Sequence, residues 1–173
     1  MTETAVVVPV GEAERVVGDW RRTLTPSGAE GMPAHVTVLT PFADGARLRA
    51  GMLEELDAEL RRFPRFAFLA ARTARFTHPH EVLYLAPEPA EPFVRLTQAV
   101  AERIGIPPYE GAYDDVVPHI TVACPDDVTI LDRVEAELAR HLPIAATADR
   151  VETWERADGR WRMLHRISLT AAP

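Results

Sequence analysis

PAHVTVLTP, residues 33–41, sets a histidine and a threonine two residues apart among aliphatic neighbours, and VPHITVACP, residues 117–125, repeats the plan. In both, a proline stands six residues after the histidine. Alternation of this kind predicts a short β-strand, because successive side chains leave opposite faces and residues two apart share one. His35 and Thr37 therefore share a face, opposite Val36 and Val38; His119 and Thr121 share a face, opposite Ile120 and Val122. Each strand can bury its aliphatic side against a helix and offer an imidazole and a hydroxyl on the other.

One histidine–x–threonine triplet carries little information, since roughly half a match is expected by chance from this composition. Two matches with the same flanks and the same trailing proline carry much more. Paired imidazoles and hydroxyls suit displacement at phosphorus, which needs a base on the attacking oxygen and an acid on the leaving oxygen. Histidine titrates near ~6.5, so one ring of a pair can be neutral and the other protonated near neutral pH. Threonine hydroxyls can donate to the non-bridging oxygens, where charge develops.

The rest of the chain repeats around these strands. Ala5–Val10 reads as a strand and Glu12–Leu24 as a helix; TPSGAEGMP is a loop before the first motif strand, His35–Thr40. Ala46–Phe63 reads as a helix, and RFAFLAARTARF and EVLYLAP as two strands. A helix then follows over Pro92–Ile104, a loop with two tyrosines, the second motif strand His119–Ala123, and a helix over Val128–Leu142. IAATADRVETWE and RWRMLHRISLT close the chain as strands. AARTARF (70–76) echoes ADRVETW (148–154), with Arg72 at the place of Arg150. This order predicts an internal duplication: a single α+β domain of two pseudo-symmetric, interleaved lobes, about 1–86 and 87–173, built of mostly antiparallel sheet flanked by helices. If the lobes are symmetric, the two polar strand faces meet across a central cleft.

Composition narrows the chemistry. The chain has 173 residues, 47% of them hydrophobic, enough for one substantial core. No apolar run approaches the ~18 residues of a membrane span, and the N-terminus lacks the basic and apolar regions of a signal peptide. A cytoplasmic monomer away from membranes is the expectation. Cys124 is the only cysteine, so neither an internal disulfide nor a cysteine-based zinc site can form. The formal charge of -7 argues against a broad grip on long nucleic acid. All 19 basic residues are arginine. Without lysine there is no lysyl-adenylate, no Schiff base and no Walker-type lysine.

With HVTV and HITV at equivalent places in two halves, the sequence resembles the 2H (two-histidine) phosphoesterase superfamily, nearest its 2′-5′ RNA ligase-like, RNA 2′,3′-cyclic phosphodiesterase branch. The resemblance covers nearly the whole chain. It implies a bilobal fold with a central cleft, no cofactor and no metal, and hydrolysis of a 2′,3′-cyclic phosphate on a nucleotide or RNA end to the 2′-phosphomonoester. It also implies that His35 and His119 are the acid–base pair, without saying which is which, and that Thr37 and Thr121 bind the phosphate. Members acting on RNA often carry basic residues beside the second motif. YEGAYDDVVPH is acidic there, which weighs against polymeric RNA and leaves a small cyclic phosphate or nucleotide. A nucleotide-binding module without turnover and a 2′-5′ RNA ligase using the cyclic phosphate are the alternatives.

Phe42, Tyr84, Tyr113 and His165 are further candidates for lining the site. Phe42 follows the first motif, Tyr113 lies in the loop before the second, and Tyr84 and His165 occupy similar places in the last strand of each half. His165 shares a strand face with Trp161, Met163 and Ile167, which favours a core role. Arg72 and Arg150 could hold a phosphate by forked hydrogen bonds, although exposed strand arginines are the commoner reading. His78 and His80 flank a proline and read as a turn, and Cys124 reads as a packing residue.

Overall fold

The computed structural model describes residues 3–41, 51–111 and 115–171. Their strands are β1 (Glu3–Pro9), β2 (His35–Leu39), β3 (Phe66–Phe76), β4 (Val82–Glu88), β5 (Ile120–Ala123), β6 (Ile144–Ala148), β7 (Arg150–Ala157) and β8 (Arg160–Ser168). The helices are α1 (Gly11–Leu24), α2 (Pro26–Ala29), α3 (Leu53–Leu60), α4 (Glu91–Ile104) and α5 (Ile130–Leu138). All eight strands join one antiparallel sheet in the order β6-β3-β4-β5-β2-β1-β7-β8. This is a mixed α+β architecture in which the sheet curls into a half-barrel.

The two motif strands are neighbours at the centre of that sheet, antiparallel, with Val36 opposite Ile120. Their polar faces thus lie side by side on one surface, rather than confronting each other from separate walls. Edge-to-edge backbone pairing accounts for this: two half-sheets that each end on a motif strand satisfy both edges by joining there.

Three stretches differ from the sequence expectations. IAATADRVETWE is two strands, broken at Asp149, because β6 pairs with β3 at one edge while β7 pairs with β1 in the other half of the sheet. The loop before β2 holds one helical turn, α2, where Thr25 Oγ1 accepts the Gly28 N–H at 3.0 Å. A Cβ on Gly28 would lie 2.4 Å from the Arg21 carbonyl oxygen, so glycine lets this turn seat on the end of α1. The helix expected over Val128–Leu142 starts at Ile130 and ends as a 3₁₀ turn, Ala139–His141. Of the helix expected over Ala46–Phe63, α3 is observed, and residues 46–50 lie outside the described residues. Among the described residues, no helix is long and apolar enough to cross a membrane.

One face of the sheet carries the main core, and a small second cluster of Ala5, Val7 and Met32 lies on the other. Val6 and Val8 of β1, Val36 and Val38 of β2, Leu85 of β4 and Ile120 and Val122 of β5 are all buried in the main core. The helices cover them with Ala13 and Val17, Leu56 and Leu60, Phe93 and Leu96, and Leu131 and Val134. These positions recur at three- and four-residue spacing, so each helix turns one apolar stripe to the sheet. Phe93 is the largest aromatic among the fully buried side chains. It meets the rings of Phe66 and Phe68 edge-on, with both centroid distances at 4.9 Å. Phe93→Ala removes this contact and leaves a cavity, at a cost of about 3–5 kcal/mol. Chemical denaturation should show the midpoint falling accordingly, with the slope unchanged.

Candidate functional site

The face opposite the core collects the residues that the two motifs predict. Continuing the Val36–Ile120 pairing one residue each way sets His35 opposite Thr121 and Thr37 opposite His119. Cross-strand neighbours on one face lie about 4.5–5.5 Å apart, so the four side chains form a compact quartet with approximate two-fold symmetry.

Both imidazoles are held in the same way. His35 Nδ1 lies 2.7 Å from the Pro33 carbonyl oxygen and His119 Nδ1 lies 2.8 Å from that of Val117, each two residues upstream. A carbonyl oxygen only accepts, so each Nδ1 must carry its proton. The tautomer follows: a neutral ring presents a bare Nε2 lone pair, and a protonated ring presents an Nε2–H donor. Among the described residues neither Nε2 has a hydrogen-bond partner, and neither does the hydroxyl of Thr37 or Thr121. The quartet therefore offers two groups able to move a proton and two free hydroxyls.

Behind the quartet lies Arg21, only 1% exposed. It sits at the fourth position after Val17 on the buried stripe of α1. Its guanidinium donates to the carbonyls of Met32 (3.3 Å) and Pro33 (3.4 Å), to Ser27 Oγ (3.4 Å), and to the carbonyl of Thr121. One side chain thus ties the approach to β2 to the middle of β5. It also shares the Pro33 oxygen with His35. Carbonyl dipoles answer its charge together with the nearby carboxylate of Glu14, whose Oε2 accepts the backbone N–H of Ala34 at 2.6 Å. Sequence reading missed Arg21. The available signal was a cation at i+4 on an otherwise apolar helix stripe.

Two aromatic rings enclose His119. Phe76 meets it edge-on at 5.0 Å and Tyr84 at 5.5 Å, and the two stack on each other at 4.4 Å. Tyr84, expected from the sequence, stands opposite Thr121 on the neighbouring strand. Phe76 was not expected; its signal was its place at the end of the AARTARF echo. His165 lies on the other face: it pairs with Thr153 on the core side of β7, and its Nε2 is 3.8 Å from Asp57 of α3. Phe42 and Tyr113 lie outside the described residues. His78 and His80 are exposed in a bend. Arg72 lies 3.4 Å from Glu88, and Arg150 contacts Asp149 and Glu152.

The electrostatics follow from this packing. Burial, then the Arg21 charge, push the His35 imidazole down to about 3; the bond to Pro33 opposes the shift, and charge on His119 adds to it. Burial also lowers His119, opposed by its bond to Val117. Both rings are therefore neutral near pH 7.

Histidine Cε1–H resonances followed by NMR should show His35 titrating well below the usual ~6.5. In Arg21→Met its midpoint should move up while staying below 6.5, because the charge is gone and the burial remains. Stability should follow the same group. Above ~6.5 neither the folded nor the unfolded His35 binds a proton, while from there down toward pH 3 only the unfolded chain does. Denaturation midpoints should fall across that window, and less steeply in His35→Asn.

Comparison with known proteins bears on the family and the fold. The family model described as the 2′-5′ RNA ligase superfamily matches residues 8–160. A search of curated proteins finds no match. Among solved structures, TT0787 of Thermus thermophilus superposes with a TM-score of 0.67 at 17% identity, covering 100% of both chains. E. coli LigT complexed with 3′-AMP gives 0.64 at 16% identity, covering 98% of both chains. E. coli LigT complexed with NADP+ gives 0.63 at 18% identity, with the same coverage. At these identities the structures speak for the fold alone, and the family match over most of the chain carries the assignment: this protein belongs to the 2′-5′ RNA ligase superfamily of 2H phosphoesterases.

Proposed function

We infer that the chain is a metal-independent phosphodiesterase that opens a 2′,3′-cyclic phosphate to the 2′-phosphomonoester. The observation that carries this reading is the quartet: two imidazoles locked through Nδ1 with Nε2 unpartnered, beside two unpartnered threonine hydroxyls on the same sheet face. Water adds to phosphorus as the bond to O3′ breaks. One imidazole takes the proton of the water, and the other gives its proton to O3′. Thr37 and Thr121 donate to the non-bridging oxygens. One proton is taken and one given, so a turnover exchanges the protonation states of the pair.

Burial keeps both rings neutral near pH 7, so the acid must take up its proton as substrate binds. An anionic phosphate between the rings favours that proton, because an opposite charge stabilises the imidazolium. A ribose 5′-hydroxyl in place of water would run the same displacement toward a 2′-5′ linkage. E. coli LigT is crystallised with 3′-AMP and with NADP+, which supports a nucleotide as the class of ligand.

Nucleoside 2′,3′-cyclic phosphates incubated in chelator test the reading. Wild type should release mainly 2′-phosphates, and His35→Ala and His119→Ala should each lose at least ~10²-fold in kcat. Folded wild-type protein that binds these compounds without opening them would instead be a binding module. The profile of kcat/KM against pH reports the free protein, so it should be bell-shaped with its maximum below ~6.5, where both lowered histidine midpoints lie. A maximum above pH 7.5 would contradict two depressed imidazoles.

A further inference from the structure

The row of residues that contains Thr37 continues away from the quartet. Thr37 pairs with Val7, Val7 with Glu152, and Glu152 with Arg166. Paired residues share a face, so Glu152 and Arg166 lie on the same surface as the candidate site. Glu152 stands two strand spacings from Thr37, about 9–10 Å.

Glu152 is only 3% exposed, and every bond it makes is to a side chain of this surface. Its Oε1 accepts from Arg150 Nε at 3.2 Å and from Arg166 Nε at 3.0 Å, and its Oε2 accepts from Trp154 Nε1 at 3.1 Å. Both arginines are therefore gripped through Nε. One outer nitrogen of Arg150 also donates to Asp149, at 2.8 Å. Arg166 makes no other hydrogen bond among the described residues, and its side chain is 54% exposed. Its two terminal nitrogens form an open fork, the geometry that matches phosphate oxygens.

The fold does not require this cluster. The other half of the sheet offers an internal control: Tyr84 stands beside Thr121 as Val7 stands beside Thr37, and the residue paired with Tyr84 is Ala74. The echo of 70–76 in 148–154 sets Ala74 at the place of Glu152 and Phe76 at that of Trp154. An alanine fills the equivalent position where no arginine pair is held. Burying a carboxylate is costly even when it is paired, which makes stability a poor reason to keep one. Orienting the arginines is what the carboxylate does.

The geometry points to an anion subsite formed by Arg166 and Arg150, oriented by Glu152, that takes a second phosphate on the substrate. The inference rests on the cyclic-phosphate reading of the quartet. With a ribose joined to the reacting phosphorus through O2′ and O3′, its remaining esterifiable hydroxyl is at 5′. The second phosphate is therefore a 5′-phosphate or the phosphodiester to a preceding nucleotide, and a bare nucleoside cyclic phosphate leaves the subsite empty. Val7, between Thr37 and Glu152, is buried under Met32, so the second phosphate reaches the arginines past that small cluster, with the aromatic pair Tyr84–Phe76 on the opposite side of the quartet.

Calorimetric titration in chelator, with product-like ligands, tests this without relying on turnover. Adenosine 2′-monophosphate, adenosine 2′,5′-bisphosphate and a dinucleotide ending in a 2′-phosphate are compared on wild type, Arg166→Gln and Glu152→Gln. Wild type should bind the bisphosphate, the dinucleotide or both at least ~10-fold tighter than the monophosphate. A gain confined to the bisphosphate identifies a mononucleotide substrate, and a gain with the dinucleotide identifies an RNA end. Arg166→Gln should bring the ratio to within about 3-fold while leaving monophosphate affinity in place, and Glu152→Gln should lower the ratio part of the way. No preference in wild type, no binding of any of the three, or a ratio unchanged in Arg166→Gln would overturn the subsite. A preference that Arg166 controls, in a protein that opens no cyclic phosphate, would sink the catalytic reading and leave the subsite standing.

Discussion

Antiparallel pairing of β2 with β5 is the constraint on which the rest depends. With Val36 opposite Ile120, the aliphatic faces of both strands drop into one core and the histidine–threonine faces rise together. A slip of one residue would turn His119 and Thr121 into the helix layer and bring Ile120 and Val122 to the surface. The hydrophobic pattern that stabilises the fold therefore also assembles the candidate site. No loop has to find its place for the quartet to form.

Arg21 reinforces this seam. A buried cation is expensive unless polar groups surround it, and here the groups are carbonyls from the approach to β2 and from Thr121 of β5. Its bonds hold the two strands at the place where they meet. Its charge adds to the burial that keeps His35 neutral and makes the region behind the quartet attractive to an anion. Mechanical and electrostatic roles fall to one side chain because α1 packs against β5 and Arg21 reaches from it to the residues that lead into β2.

The two-fold likeness of the halves is broken where chemistry would use the difference. On the His119 side the quartet is bordered by stacked rings, Phe76 and Tyr84. Beyond Thr37 the positions equivalent to Ala74 and Phe76 carry Glu152 and Trp154, with arginines gathered round the carboxylate. An apolar flank and a charged flank give an otherwise symmetric surface a direction.

The repeated histidine–x–threonine strands were legible from period-two alternation, and the helices over them from three- and four-residue spacing, because both follow from local backbone geometry. Tyr84 was named from its place in the last strand of the first half, but the same reasoning put His165 beside it, and His165 lies on the core side. Long-range pairing was not legible. IAATADRVETWE reads as one strand, yet Asp149 is where the chain leaves β3 for β1, and local alternation looks the same on both sides of that break. Arg21, Phe76 and Glu152 looked like ordinary helix and strand residues until the fold brought them near the quartet. The sequence by itself determined which side chains could carry the chemistry and which face of each strand they share. Tertiary structure decided that the two strands touch, which rings His119 meets, and which charge is buried behind His35, because those depend on contacts between residues far apart along the chain.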